Sequence, residues 1–483
     1  MIAEENSLKA EKSGDFDLII VGAGTSGMAA AIAAARAGGR ILLLDAAEKW
    51  GGTLHVATGW LSAAGTRLQR ECGIDDSPNE HLQDLVRISK GTINQELAHK
   101  AVLLMPDTFD WLVENGFEVS PECPVHGANH EPYSKARYYV GANKGRSVLA
   151  VLERILRPMI NSWQVDFRPA HEVISLIRQG DRVIGVRTSS SAGENEFRAP
   201  HVVLASGGYN SDPVEFERLS GRVLYARDSY PFATGAGHGL GVSAGGYLRG
   251  GENFWCSFGS VLDSFNYPSP TLCQPEHRPE VRKPWEISVN RRGERFVAED
   301  NPSVDAREAA LMEQPDQIRF IVFDEGILDS APPLILGWSA ADIRAHSNVH
   351  PMFNSAQSVA GLAQAVGVPS AVLEATVQAY NETLEGRDPL GRTHMPLPIS
   401  QPQFYAITVH GTSVTSAAGL AVDEKLRVIR EDGVPVDGLY AIGELLGSGI
   451  LQGKAFCGGM LATPALAFGL ELGATLAGSL RKS

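Results

Sequence analysis

Residues 16–47, FDLIIVGAGTSGMAAAIAAARAGGRILLLDAA, leave this chain few folds to choose from. An apolar run, Phe16 to Val21, leads directly into Gly22-x-Gly24-x-x-Gly27. An alanine-rich stretch from Met28 to Ala37 follows, closed by Gly38-Gly39, and then a second apolar run, Ile41 to Leu44, ending in Asp45. Short apolar runs suit strands covered on both faces of a parallel sheet. The alanines suit a helix, and a glycine pair is a common helix stop. The glycine spacing has mechanical reasons. Gly22 allows a tight turn, Gly24 lets backbone approach a pyrophosphate, and Gly27 lets helix pack on strand. The helix start favours phosphate charge, and Asp45 is placed to accept hydrogen bonds from a ribose. Strand, loop, helix, strand and terminal acid together predict a Rossmann-like α/β dinucleotide site, with Thr25 and Ser26 among its loop residues.

Composition narrows what else the protein does. A net charge of -14 over 483 residues argues against nucleic acid as a partner, because phosphate binding needs a basic face. The five cysteines are scattered, with no CxxC pair, so neither a zinc site nor a disulfide framework is expected. The acidic, polar N-terminal stretch does not read as a signal peptide. The apolar segments, interrupted by residues such as Arg36 and Glu471, fall short of a membrane span. A cytoplasmic protein without bound metal is the expectation.

Three later stretches extend the first motif. Gly51-Gly52 and the small residues after them, including Thr53, suit a flat ring lying on backbone. A buried strand, Val202 to Ala205, runs into Ser206 and Gly207-Gly208. A further strand closes at Gly443-Glu444, where the glutamate is placed to bind a ribityl chain. In this order, with ATGAGHGLGVSAGG (233–246), VNRRGERFVAED (289–300) and GLAVDEKLRVI (419–429), the blocks resemble one flavoprotein family. That family contains soluble fumarate reductases, succinate dehydrogenase flavoprotein subunits and 3-ketosteroid Δ1-dehydrogenases. The resemblance covers nearly the whole chain. It implies bound FAD, a discontinuous FAD-binding domain (1–248 and 403–483) and an inserted α+β substrate or cap domain (249–402). Family members with covalent FAD attach it through a histidine; Thr53 matches that position, so non-covalent FAD is expected, with His55 packing nearby.

The same resemblance frames the substrate. Fumarate reductases place an arginine before the C-terminal glycine pair, a histidine before a TMGG stretch and a proton-donating arginine after an apolar strand. Phe456, Thr415 and Leu328 stand at those positions here. A dicarboxylate needs cations to clamp it, so these replacements point away from one. The ketosteroid dehydrogenase loop fits CGGMLATPALAFG better. There a glycine amide binds the substrate carbonyl; Gly459 matches it, and Leu461 falls among the flavin contacts. The family's tyrosines map onto Tyr138 or Tyr139, onto Ser303 and onto Ala455, so only the first has a phenol here.

The resulting expectation is an FAD-dependent enzyme for α,β-dehydrogenation of a ketone, with a cyclic ketone or enone as its small-molecule partner. The β-hydrogen leaves as hydride to flavin N5, and ene reduction is the reverse. Tyr138, Tyr139 and Gly459 are the expected catalytic residues; Phe456, Ser303, Thr415 and Lys454 the substrate contacts. One alternative is a carboxylate substrate clamped by Lys454, Arg137 or Arg307. Another is a flavin-binding subunit that depends on a partner. No haem or iron–sulfur motif is present, so an external electron acceptor or donor is implied. His126, His130, His238 and His410 read as structural or surface residues, Cys457 as a small hydrophobe, Glu299 as structural, and residues 277–286 as a solvated cap face.

Overall fold

The computed structural model describes residues 16–127, 130–384 and 386–480. The two apolar runs of the first motif become the strands Leu18–Val21 and Ile41–Leu44, both fully buried. They pair in parallel, residue for residue from Leu18 with Ile41 to Val21 with Leu44. The sheet has six strands in the order 427–429, 435–441, 202–204, 18–21, 41–44, 165–168. All neighbours are parallel except the outermost pair, 427–429 with 435–441. The last strand added in sequence therefore lies near the centre, beside 202–204.

Helix Thr25–Arg36 crosses the C-terminal helix Ala462–Leu480 through small residues. A Cβ on Gly469 would lie 2.5 Å from the Ser26 carbonyl oxygen, and one on Gly473 2.2 Å from that of Ala30. Only glycine permits such backbone contact. The alanine-rich sequence of the first helix thus serves close packing as well as propensity.

A second sheet is antiparallel, in the order 287–290, 318–324, 404–410, 353–356. Its central strands, Ile318–Asp324 and Phe404–His410, are buried along their whole length. Helices Val304–Met312, Val359–Val366 and Ser370–Thr383 belong to this part. Its apolar core also takes in Tyr225 and Ala226. The expected cap boundaries of 249 and 402 therefore need correction. Strand 404–410 pairs in register with 318–324, so the cap continues to His410. The two connections between the halves run side by side, Leu248 opposite Leu420 and Arg249 opposite Gly419.

Residues 277–286 are a solvated face only in part: Glu280, Val281 and Lys283 are exposed. Arg282 and Glu286 are buried and joined at 2.6 Å, and His277 accompanies them. Glu299 accepts from the Ser288 amide at 2.8 Å and binds Arg295 and Arg392 at 2.7 and 3.1 Å, tying strand end to strap.

Candidate active site

The glycine loop is built as its spacing predicts. Gly22 has φ 106°, and a Cβ there would lie 2.4 Å from the Ala205 carbonyl oxygen. A Cβ on Gly27 would lie 1.8 Å from the Gly22 carbonyl oxygen. Gly24 caps the helix and faces Gly52, whose Cβ would lie 3.1 Å from the Gly24 Cα. The Gly51 amide donates to the Ala23 carbonyl at 2.8 Å, which locks the two loops together. Asp45 accepts from the amides of Ala23 at 2.6 Å and Ala47 at 2.8 Å. Burial raises its pKa, and these two amides oppose the rise. Its carboxylate thus braces the loop.

The remaining cofactor candidates gather at the same sheet end. Ser26 sits against Gly443, where a Cβ would lie 2.4 Å from its hydroxyl. Glu444 accepts from the Ser416 amide at 3.1 Å, and burial raises its pKa. Gly207 has φ 80° with open space where a Cβ would point. Buried hydroxyls of Ser206, Thr415 and Ser448 have no hydrogen-bond partner among the described residues. A crevice bordered by glycine backbone and orphaned hydroxyls fits a dinucleotide, which supplies acceptors along its length. Thr415, expected as a substrate contact, is buried next to Ser416, whose amide binds Glu444. Thr53 is exposed in a short turn, and His55 bonds the Trp50 carbonyl at 2.8 Å. Leu461 is half-buried just ahead of the last helix.

The substrate side forms around the C-terminal glycine pair. Gly459 has φ 76°, and a Cβ there would lie 2.4 Å from the Ser62 amide nitrogen. Among the described residues nothing accepts from the Gly459 amide. Tyr138 lies against Gly458, whose Cβ would fall 2.9 Å from the ring, and stacks on Trp60 at 4.4 Å. The Tyr133 hydroxyl donates to the Gly458 carbonyl at 2.5 Å. Phe456 packs on His130 at 3.9 Å with the rings tilted by 33°, and meets Trp255 edge-on at 5.2 Å. Cys457 is buried, and burial raises its thiol pKa.

Several expected roles move. Tyr139 faces away from this wall: its hydroxyl bonds Thr66 at 2.9 Å and donates to the Ala63 carbonyl at 3.2 Å, with Phe109 stacked at 4.0 Å. It is a core residue. Tyr139→Phe is expected to lower stability by about 1 kcal/mol, the worth of a typical buried hydrogen bond, and to leave turnover unchanged; urea unfolding beside a flavin-reduction assay checks both. Ser303 caps helix Val304–Met312 and donates to Glu131 at 2.9 Å. Arg137 is wholly buried between Asp76 at 2.8 Å and Asp84 at 3.0 Å, so it has no fork left for a substrate. The Lys454 side chain is exposed. Arg307 is buried, donates to the His277 carbonyl, and has Nε and Nη2 without partners among the described residues.

His130, Trp255, Trp60, Asp305 and Glu308 were not singled out as site residues from the sequence. Trp60 follows the Gly51-Gly52 run and stacks on Tyr138, whereas the other four sit in stretches without a local motif, and only the fold gathers them near Phe456 and Cys457. His130 is half-buried, burial lowers its pKa to about 4, and Glu308 lies 3.9 Å from it.

Comparison with known proteins agrees with this geometry. The model of a family described as FAD binding domain matches residues 17–461. A probable fumarate reductase of Shewanella frigidimarina is 25% identical over 477 residues, 96% of this chain and 75% of that protein. A 4-oxocyclohexanecarboxylate 2-dehydrogenase of Sinomonas cyclohexanicum is 26% identical over 549 aligned residues, covering 96% of this chain and 93% of that one. The solved structure of 3-ketosteroid delta1-dehydrogenase from Sterolibacterium denitrificans superposes with a TM-score of 0.76 at 19% identity, over 96% of this chain and all of that one. No described helix is long and apolar enough to cross a membrane. The chain belongs to the FAD binding domain family, and is an FAD-dependent oxidoreductase.

Proposed function

We propose that the protein interconverts a ketone and its α,β-unsaturated form, with a ring ketone as the favoured substrate class. The observation that carries this reading is the unpartnered Gly459 amide, next in the chain to Gly458, which lies against Tyr138 and its stacked Trp60, and three residues after Phe456, which packs on His130 and Trp255. An amide ahead of a 19-residue helix favours negative charge, which a ketone oxygen acquires as it becomes enolate-like. A donor so placed contributes about 3 kcal/mol to the transition state. The aromatic faces suit a carbon skeleton. Tyr138 acts as a hydrogen-bond donor rather than a base, because burial raises its phenol pKa. Bound FAD supplies the two-electron acceptor or donor, held without a covalent link, and an external carrier completes the cycle. The related 4-oxocyclohexanecarboxylate 2-dehydrogenase is named for a ring ketone that also bears a carboxylate, which supports a ring ketone and is compatible with the second reading below.

A carboxylate-bearing substrate is the second reading. The observation that favours it is Arg307, a buried guanidinium with two unpartnered nitrogens. Relatives named as fumarate reductases agree with it. Arg137 and Lys454 drop out as clamps for the reasons above.

Anaerobic titration of the purified protein, followed by flavin absorbance, separates the readings. Cyclohexanone or a saturated 3-ketosteroid is expected to bleach the flavin, and succinate is not. Bleaching by succinate alone would reject the ketone reading in favour of the second.

A further inference from the structure

The ketone reading leaves a proton without a carrier, since Tyr139 is committed to the core and Tyr138 is a poor base. The cap helix Val304–Met312 reaches the aromatic cluster through Glu308, 3.9 Å from the His130 ring that packs on Phe456, and carries Asp305 one turn earlier. Asp305 is 9% exposed, and its Oδ1 has no partner among the described residues. Three further polar groups in this region are buried and unpartnered: Trp255 Nε1, His130 Nδ1, and Nε and Nη2 of Arg307. Trp255 and His130 both pack on Phe456, 5.2 and 3.9 Å away. Orphaned buried donors and acceptors beside one aromatic pocket point to a polar ligand that completes them.

We infer that the Asp305 carboxyl takes the α-proton of the substrate, and returns it in the reverse direction. This rests on the ketone reading above. The α C–H bond breaks, its proton bonds to a carboxylate oxygen, and its electron pair becomes the new C=C bond. The β-hydrogen leaves with its own pair, and FAD is the oxidant. Ser303 is a positioning residue for this acid. Its hydroxyl accepts from the Ala306 amide at 3.2 Å and donates to Glu131, fixing the helix turn that bears Asp305.

The surrounding charges suit the task. Burial pushes the Asp305 pKa up to about 7, Glu131 adds to the rise, and Lys90 and Arg87 oppose it. Glu308, on the same helix and 3.9 Å from His130, has its pKa pushed well above the usual carboxylate range by burial and by Asp305, with Arg307 opposing. Cys457 of the glycine loop feels the Asp305 charge as well. A carboxyl poised near neutrality is an effective acid and base in turn. The sign for stability follows. The folded carboxyl holds its proton more tightly than the unfolded one, so stability falls as pH rises from about 3.8 to about 7. Asp305→Asn removes that part of the slope.

The test uses Asp305→Asn and Asp305→Glu holoenzymes with the flavin kept reduced, and cyclohexanone in deuterated water as probe. Wild type is expected to wash deuterium into the α-position, faster as pH rises through about 7. Asp305→Asn is expected to lose about 100-fold or more, and Asp305→Glu to recover part of it. Exchange by Asp305→Asn at the wild-type rate overturns the assignment. A second readout needs no substrate: carbon-13 NMR of labelled aspartates, wild type against Asp305→Asn. A carboxyl titrating near neutrality supports the inference, and one titrating in the ordinary aspartate range overturns it. If wild type exchanges nothing, the ketone reading fails, and the NMR titration alone decides on Asp305.

Discussion

Gly27→Ala is expected to give a protein without bound flavin. The added Cβ would fall 1.8 Å from the Gly22 carbonyl oxygen, a backbone atom with no rotamer to change. Gly22 in turn is pressed against the Ala205 carbonyl, so the loop has no room to retreat. Either the first helix lifts from the sheet or the turn opens, and both displace the amides that face the pyrophosphate. Overpacking of this kind costs about 3 kcal/mol. Gly24→Ala is the control. In the free protein its Cβ meets nothing closer than the Gly52 Cα at 4.0 Å, so the fold survives and only the approach of the cofactor suffers. Flavin content after gel filtration, with thermal melts of both variants, reads the difference. Stoichiometric flavin and an unchanged melt for Gly27→Ala would reject this account of the loop.

The second large effect is at Arg137. Its guanidinium is fully buried and holds Asp76 through Nε at 2.9 Å and Nη2 at 2.8 Å, and Asp84 through Nη1 at 3.0 Å. Arg137→Leu puts in a smaller, apolar side chain that leaves Asp76 buried without its cation, while Asp84 keeps Arg87 at 2.8 Å. Removing one partner of a buried pair costs about 3–5 kcal/mol. The damage spreads to the site, because the guanidinium also lies 5.4 Å over the ring of Tyr133, which anchors the Gly458 carbonyl. Urea unfolding is expected to show a lowered midpoint. The loss should shrink at low pH, where the freed carboxylate protonates. A pH-independent loss would mean that packing rather than charge holds this hub.

The same residue shows where sequence reasoning stops. An arginine near tyrosines looks like a clamp, because its acids are distant in the chain and only the fold joins them. The glycine loop, by contrast, is legible because strand, glycines and helix follow one another directly, and Gly27 answers to Gly22 five residues back, although Gly22 also meets Ala205 from a distant strand. The cap boundary failed for the converse reason. The turn-rich stretch before Phe404 resembles a domain exit, yet the following strand pairs with residues 318–324, and nothing local announces that pairing. Charges at 277–286 count as solvent-loving until Arg282 and Glu286 are seen to satisfy each other in the interior. Asp305 and His130 carry no signature at all, since what distinguishes them is the company they keep in space.

The strand order of the large sheet bears on how the chain is made. Strand 435–441 lies beside 202–204, but it leaves the ribosome only after the whole cap has done so. The helix that packs on Ser26 and Ala30 comes later still. During synthesis the cap therefore holds all four of its strands while the nucleotide half lacks both an inner strand and a covering helix. The unfinished edge at Val202–Leu204 is an apolar template awaiting its partner. Nascent chains halted between His410 and Pro435 should thus be protease-resistant in the cap and sticky everywhere else.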